Sequence, residues 1–167
     1  CGNCMNFNYS TKYWTSTQYN GGGSYDDDYA YHINMGTGAV SYGDKNGLLY
    51  NVRCVRRPIG QTDTIPYIIH NSNPLYIYPI DNSDGIIWEN GNSNITQAES
   101  NTSGESNTLH IYNNEGTSYA YAARLCFELS AYGFNDWYLP SKDELLAIAA
   151  NKETYPNQSP PLNAHEV

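Results

Sequence analysis

The chain has 167 residues, enough for one domain with a sizeable hydrophobic core. Its formal net charge is −9 at pH 7 and only 8 residues are Lys or Arg, which argues against nucleic acids and anionic membrane surfaces as partners. Charged residues make up 15% of the chain while Tyr alone occurs 17 times, a composition typical of extracellular binding surfaces. No apolar run approaches the roughly 20 residues of a membrane-spanning helix, and we expect a secretion signal to be removed or to lie outside this sequence.

The first third of the chain favours antiparallel strands joined by glycine-rich turns. β-branched and aromatic residues recur in its extended stretches, and glycines separate them, as at Met35-Gly-Thr-Gly38. A glycine-rich stretch, Asn20-Gly-Gly-Gly-Ser24, is expected to be a loop. The strands predicted here are residues 13–19, 29–34, 39–42 and 48–55.

Two further strands are expected over residues 65–70 and 75–80, since both are aromatic and β-branched runs bounded by Asn, Ser or Pro. A turn over residues 81–85 leads to Ile86-Ile-Trp88. Residues 92–107 consist mostly of Asn, Ser, Thr, Gly and Glu. Because they offer almost nothing to bury, they predict an exposed loop.

The last third predicts two helices. The first would begin at an N-cap, Thr117 or Ser118, and end at Gly133. Its apolar stripe at helical spacing consists of Ala122, Leu125, Cys126 and Leu129. Ser141 and Glu144 form a capping box that starts the second helix. Its buried stripe would comprise Leu145, Leu146, Ile148 and Ala149. Two helices beside a sheet of short strands predict an α+β fold.

Four motifs follow one another in an unexpected order. The chain carries Tyr13-Trp-Thr-Ser-Thr-Gln-Tyr, then the hairpin that begins at Ala30-Tyr-His-Ile-Asn, then Val52-Arg-Cys-Val-Arg, and only later Asp136-Trp-Tyr-Leu-Pro-Ser-Lys-Asp-Glu-Leu. These motifs resemble the DUF1566 family, the module that forms the C-terminal domain of the Legionella collagen-like adhesin. In that family the helix motif comes first, so this chain resembles it in circularly permuted order.

The resemblance implies a C-type-lectin-like fold, with two helices beside short antiparallel β-sheets, found in extracellular binding and adhesion modules without a shared enzymatic activity. Residues 1–57 would be the C-terminal half of such a domain and residues 58–167 its N-terminal half. One domain would result, completed within the chain or between neighbouring subunits.

Four cysteines allow three disulfide pairings, and Cys1-Gly-Asn-Cys4 is the only close pair, which favours disulfides over a zinc site. The resemblance implies a disulfide between Cys54, on the last strand, and Cys126, on the first helix. Cys1 is then paired with Cys4. An alternative for Cys1 is the lipid-modified first residue of a bacterial lipoprotein.

Two kinds of surface residue are candidates for recognition. N-glycosylation sequons make glycans candidate partners, and their acceptors are Asn94, Asn101, Asn8 and Asn157. Diversified C-type-lectin-like receptors, which the chain resembles, imply a ligand-facing set of Trp14, Tyr25, Tyr29, Tyr31, Asn34, Tyr42 and Tyr50. The alternative is that half of this set covers a core.

The sequence predicts neither a metal site, nor a cofactor, nor an enzyme. Asp26-Asp-Asp28 is the candidate for calcium, but consecutive carboxylates rarely face one ion, so a solvated acidic loop is the preferred interpretation. The four histidines are scattered along the chain. Ser16 lacks the glycine elbow and the neighbouring base of a nucleophile.

Two functions remain. The first is an extracellular structural or adhesive module, a fibre subunit whose fold is closed by copies of itself. The second is a ligand-binding adhesin or receptor domain that folds within one chain. The rotated motif order favours the first, because evolutionary permutation is rare and a broken domain needs a partner for its exposed strands.

Overall fold

The computed structural model describes residues 7–23, 26–57, 65–91 and 93–151. In chain order the strands are β1 (Lys12–Gln18), β2 (Tyr29–Asn34), β3 (Val40–Asp44), β4 (Tyr50–Val52), β5 (Val55–Arg56), β6 (Tyr67–His70), β7 (Asn73–Ile77) and β8 (Ser83–Ile86), and the helices are α1 (Gly104–Glu115), α2 (Ala122–Phe127) and α3 (Lys142–Asn151). The predicted α+β fold class is confirmed, with three helices in these parts of the chain in place of the two expected.

The strands form two sheets. The larger has the order β3-β2-β1-β4-β8 and the smaller the order β5-β7-β6. β1 pairs with β4 in parallel, and the other neighbours are antiparallel. The predicted hairpin is present as β2 and β3, with Tyr31 opposite Tyr42. Gly38 has a φ of 73°, a backbone conformation that glycine adopts without strain, which explains the glycine at this turn.

Residues 7–57 and 65–151 pack on each other throughout. β4 pairs with β8, and Val55 forms a two-way bridge with Tyr138 through N–H···O bonds of 2.9 and 2.8 Å. The backbone N–H of Ser16 donates to the carbonyl of Pro140 at 2.8 Å. Two hydrophobic cores both draw side chains from the two segments.

Cys54 and Cys126, the pair that the resemblance implies, are joined by a disulfide with a Cα–Cα distance of 5.4 Å. Cys54 lies between β4 and β5, and Cys126 lies on α2. The bond therefore connects the two segments covalently. Cys1 and Cys4 lie outside the described residues.

The prediction of an exposed loop over residues 92–107 is wrong. This stretch contains a 3₁₀ turn, Thr96–Ala98, and the start of α1. Asn107 is fully buried. Its amide can be buried without a large cost because it exchanges hydrogen bonds with the backbone of Ser100, at 2.7 and 3.1 Å. Gly104 is needed because a Cβ there would lie within 3 Å of Glu144, Ser141 and Leu139. The segment packs on the core through Ile95, Ala98 and Asn107, while most of its other described polar side chains are exposed or half-buried.

The helix predicted from residue 117 is also much shorter than expected. α2 begins after Tyr121, and Thr117 and Ser118 do not cap it. The Arg124 guanidinium donates to the carbonyls of Thr117 and Tyr119, at 2.7 and 2.8 Å, which holds the preceding residues in a turn.

The second predicted helix is present as α3, with its capping box. The Ser141 N–H donates to Glu144 Oε2 at 3.0 Å, and the Glu144 N–H donates to Ser141 Oγ at 3.4 Å. Its predicted stripe is buried at Leu145, Ile148 and Ala149, and half-buried at Leu146. Strand bounds differ more: the turn predicted over residues 81–85 contains most of β8, and the strand predicted over residues 48–55 is broken into β4 and β5.

Candidate ligand-binding site

A cluster of tyrosines lies on one face of β2 and β3. Tyr31 and Tyr42 are opposite each other in the sheet register, and Tyr29 lies two residues from Tyr31, so their side chains share a face. Tyr19 stacks on Tyr42 with ring centroids 4.1 Å apart and meets Tyr31 edge-on at 5.3 Å. We call Tyr19, Tyr29, Tyr31 and Tyr42 the tyrosine surface. Tyr42 is 48% exposed and the other three are half-buried.

The tyrosine surface is fixed from two sides. The Tyr19 N–H donates to the Tyr29 carbonyl at 3.0 Å, which closes the loop between β1 and β2. Gly21 in this loop lies so close to the Tyr19 ring that a Cβ would be 2.3 Å from its hydroxyl. At the start of α3, Lys142 Nζ lies 4.7 Å from the centre of the Tyr31 ring, a cation–π geometry. The rings are therefore held in a defined arrangement before any ligand binds.

Of the other predicted ligand-facing residues, the three that the structure describes do not join this surface. Trp14 is fully buried and its indole N–H donates to the Ile86 carbonyl at 2.8 Å, so the prediction that it faces a ligand is wrong. The reason is register: Trp14 pairs with His32, which places it on the opposite face from Tyr31. Tyr50 packs on Trp14, with centroids 4.5 Å apart. The remaining two are Asn34, which accepts from the Thr37 N–H in the hairpin turn, and Tyr25, which lies outside the described residues.

The His32 side chain lies on the face of β2 opposite the tyrosine surface, where its ring contacts Trp14 and Tyr50. It is 2% exposed, and its Nδ1 has no hydrogen-bond partner among the residues that the structure describes. Burial, with a smaller contribution from the charge of Lys12, lowers the pKa of His32 to about 4. The imidazole is therefore neutral at physiological pH and serves as a packing group.

A polar groove of about 390 Å³ lies beside the second half of α1. It is lined by Asn94, Ile95, Gln97, His110, Asn113 and Asn114, and we call this set the polar groove. Ile95 is buried, while the four amide side chains are exposed. Sequence reasoning missed this groove, because the polar residues before α1 read as a plain loop.

A buried charge network lies next to the loop that forms one wall of the polar groove. Lys45 and Glu89 are both fully buried and form a 3.2 Å ion pair. Lys45 Nζ also donates to Gln18 Oε1 at 2.7 Å and to the Ser93 carbonyl at 2.8 Å. Burial raises the pKa of Glu89 to about 8 and lowers the pKa of Lys45, while their mutual attraction opposes both shifts.

The sequon acceptors differ in position. Asn8, Asn94 and Asn101 are exposed, and Asn157 lies outside the described residues. Asn94 belongs to the polar groove, where its Oδ1 accepts from Gln18 Nε2 at 2.9 Å.

The described residues contain no group of three or more His, Cys, Asp or Glu side chains that could hold a metal ion. Asp26–Asp28 forms a 3₁₀ turn at the entrance to β2. Ser16 is fully buried, and its Oγ accepts from Asn107 Nδ2 at 3.3 Å. His70 contacts the Arg57 guanidinium, with 2.8 Å between Nδ1 and Nη2, and His165 lies outside the described residues.

Comparison of the chain with protein-family models, curated proteins and solved structures finds no match. Within the described parts of the chain, each helix is too short or too polar to cross a membrane.

Proposed function

We propose that this chain is an extracellular ligand-binding module of C-type-lectin-like architecture, closed within one chain, which uses the tyrosine surface to contact a partner protein. The observation that carries the proposal is the preorganised tyrosine surface itself. Partly exposed Tyr side chains that pack on one another give large contact area at low entropic cost, which is the property of antibody-like binding surfaces. The Cys54–Cys126 disulfide supports an oxidising, extracellular environment.

The packing of the two segments supports closure within one chain rather than between neighbours. β1 lies in the middle of the larger sheet, with β2 on one side and β4 on the other, and β4 in turn pairs with β8 from the second segment. A single chain can therefore satisfy the strands that motif order alone would leave unpaired. No second copy is required for the core.

The experiment is a binding comparison against purified extracellular matrix proteins, namely collagen, fibronectin and laminin. The test variant is Tyr42→Asn. Tyr132→Asn is a matched control, because Tyr132 is 46% exposed but lies beyond α2, and its φ of 56° suits Asn. We expect wild type and control to bind one of these proteins and Tyr42→Asn to lose at least tenfold in affinity. Binding of none of them, or equal binding by all three forms, would contradict the proposal.

A fibre subunit is the second candidate, and the edge strand β3 is the observation that favours it. β3 ends the larger sheet, and its residues Val40 and Tyr42 are 40% and 48% exposed. It contains neither Lys nor Pro, the residues that commonly protect an edge from pairing with another copy. A native mass that rises with protein concentration would support this candidate. A constant mass of one chain would exclude it.

A further inference from the structure

We propose that the polar groove is a binding site for an uncharged, hydroxyl-rich saccharide, separate from the tyrosine surface. Its lining includes the amides of Asn94, Gln97, Asn113 and Asn114. Each amide offers both a hydrogen-bond donor and an acceptor, and each sugar hydroxyl does the same. The side chains of Gln97, His110 and Asn113 make no hydrogen bond with any described residue, so these groups are free to pair with a ligand.

Hydrogen bonds to buried side chains hold the loop wall of the polar groove in place. The Gln18 amide spans two points of the loop wall: its Nε2 donates to Asn94 Oδ1 and its Oε1 accepts from the Ile95 N–H, both at 2.9 Å. The buried Lys45 fixes the same loop through the Ser93 carbonyl at 2.8 Å. The opposite wall is α1. Binding sites on such fixed elements lose little entropy when a ligand binds.

Size and charge define the ligand class. A volume of about 390 Å³ falls in the range of small-molecule sites, which is about 300–1,000 Å³. Among the described residues, the lining contains neither an acidic residue nor Lys or Arg, and the chain carries a net charge of −9. Sulfated or carboxylated saccharides would find no cation to pair with and would be repelled by the protein as a whole. A neutral saccharide fits both conditions.

Two sources could supply such a saccharide. Asn94 is both part of the groove and a sequon acceptor, and its Nδ2, the atom that becomes glycosylated, has no hydrogen-bond partner among the described residues. A glycan attached at Asn94 would occupy the groove from within the same chain. A free or cell-surface glycan would enter from solvent.

For the test, the whole chain is produced in a bacterial periplasm, where it is not N-glycosylated. The purified protein is then applied to an array of neutral and sulfated glycans. The groove variants are Gln97→Ala and Asn113→Ala. Asn73→Ala is the control, an exposed amide at the start of β7 in the smaller sheet. We expect wild type and Asn73→Ala to bind neutral glycans only, and each groove variant to lose at least tenfold in affinity. Absence of neutral-glycan binding, or binding that neither groove variant weakens, overturns the proposal.

A second arm distinguishes the sources. Wild type and Thr96→Ala, which lacks the Asn94 sequon, are both secreted from a glycosylating eukaryotic host. If the attached glycan occupies the groove, the wild type from this host does not bind the array and Thr96→Ala does. If both bind equally, the groove serves a free glycan.

Discussion

Single buried polar residues should affect the stability of this protein, and His32 is the first example. Its pKa is about 4 in the folded protein, against an ordinary value of 6.5. Between these two values the unfolded chain binds a proton that the folded protein does not, so acidification favours unfolding. We expect this residue to lower the free energy of unfolding by about 3 kcal/mol between pH 7 and pH 4.

Urea unfolding of wild type and His32→Gln at pH 7 and at pH 4 measures how much His32 contributes to this loss of free energy of unfolding. Carboxyl groups also titrate in this interval, so the difference between the two proteins is the relevant quantity. The variant should lose about 3 kcal/mol less than the wild type on acidification. Equal losses would contradict this prediction, because they would show that folding does not lower the pKa of His32.

Glu144 should matter more for stability than the N-cap residue Ser141. Glu144 is 1% exposed and accepts hydrogen bonds from the Tyr138 hydroxyl at 2.9 Å, from the Ser141 N–H at 3.0 Å and from the Gly104 N–H at 3.3 Å. It also pairs with Arg57 at 3.1 Å. Ser141→Ala should cost about 1 kcal/mol, the usual cost of a lost cap. Glu144→Ala should cost about 3 kcal/mol, because it leaves several buried donors unpaired.

Chemical denaturation of the two variants beside wild type tests this order. Similar costs for both substitutions would contradict the assignment of Glu144 as the hub of this network. At the residue level the sequence revealed the capping box through spacing alone. It could not reveal the bonds to Tyr138 and Gly104, because these depend on contacts between distant segments.

At the scale of elements, the sequence predicted the first three strands and α3 well, while the strand predicted over residues 48–55 is broken into β4 and β5. The hairpin turn and the capping box both have local causes, a positive-φ glycine and a side chain three residues from its cap. α1 was missed because its buried Asn107 and Thr108 look like solvent-exposed residues in the sequence. The burial of Trp14 was missed because alternation cannot tell which face of a central strand is covered.

The disulfide between α2 and the β4–β5 segment should contribute substantially to stability. Cys54 and Cys126 are 72 residues apart in sequence, and a loop of that length implies roughly 4 kcal/mol from restriction of the unfolded chain. Cys54→Ala/Cys126→Ala should therefore lower the free energy of unfolding by about that amount. Wild type treated with a thiol reductant should show a similar loss. An unchanged denaturation midpoint in either sample would contradict this role.

At the scale of the whole molecule, the central question is which chain supplies the strands that the motif order separates. The core containing Trp14, Trp88 and Trp137 joins both segments, and so does the larger sheet. Closure within one chain leaves the tyrosine surface and the polar groove as features of a single molecule. Closure between neighbours would make every subunit dependent on the next. The motif order alone could not decide between these, since both arrangements bury the same contacts.

The Cys54–Cys126 bond makes this question directly measurable, because its two cysteines belong to the two different segments. The measurement is the mass of the natively folded protein after denaturation without reductant, in a variant with Cys1→Ser and Cys4→Ser so that this disulfide alone remains. Closure within the chain predicts a single species near 18.7 kDa. A ladder of disulfide-linked multiples that collapses to one chain on reduction would contradict it, and would show that neighbouring subunits complete each other's fold.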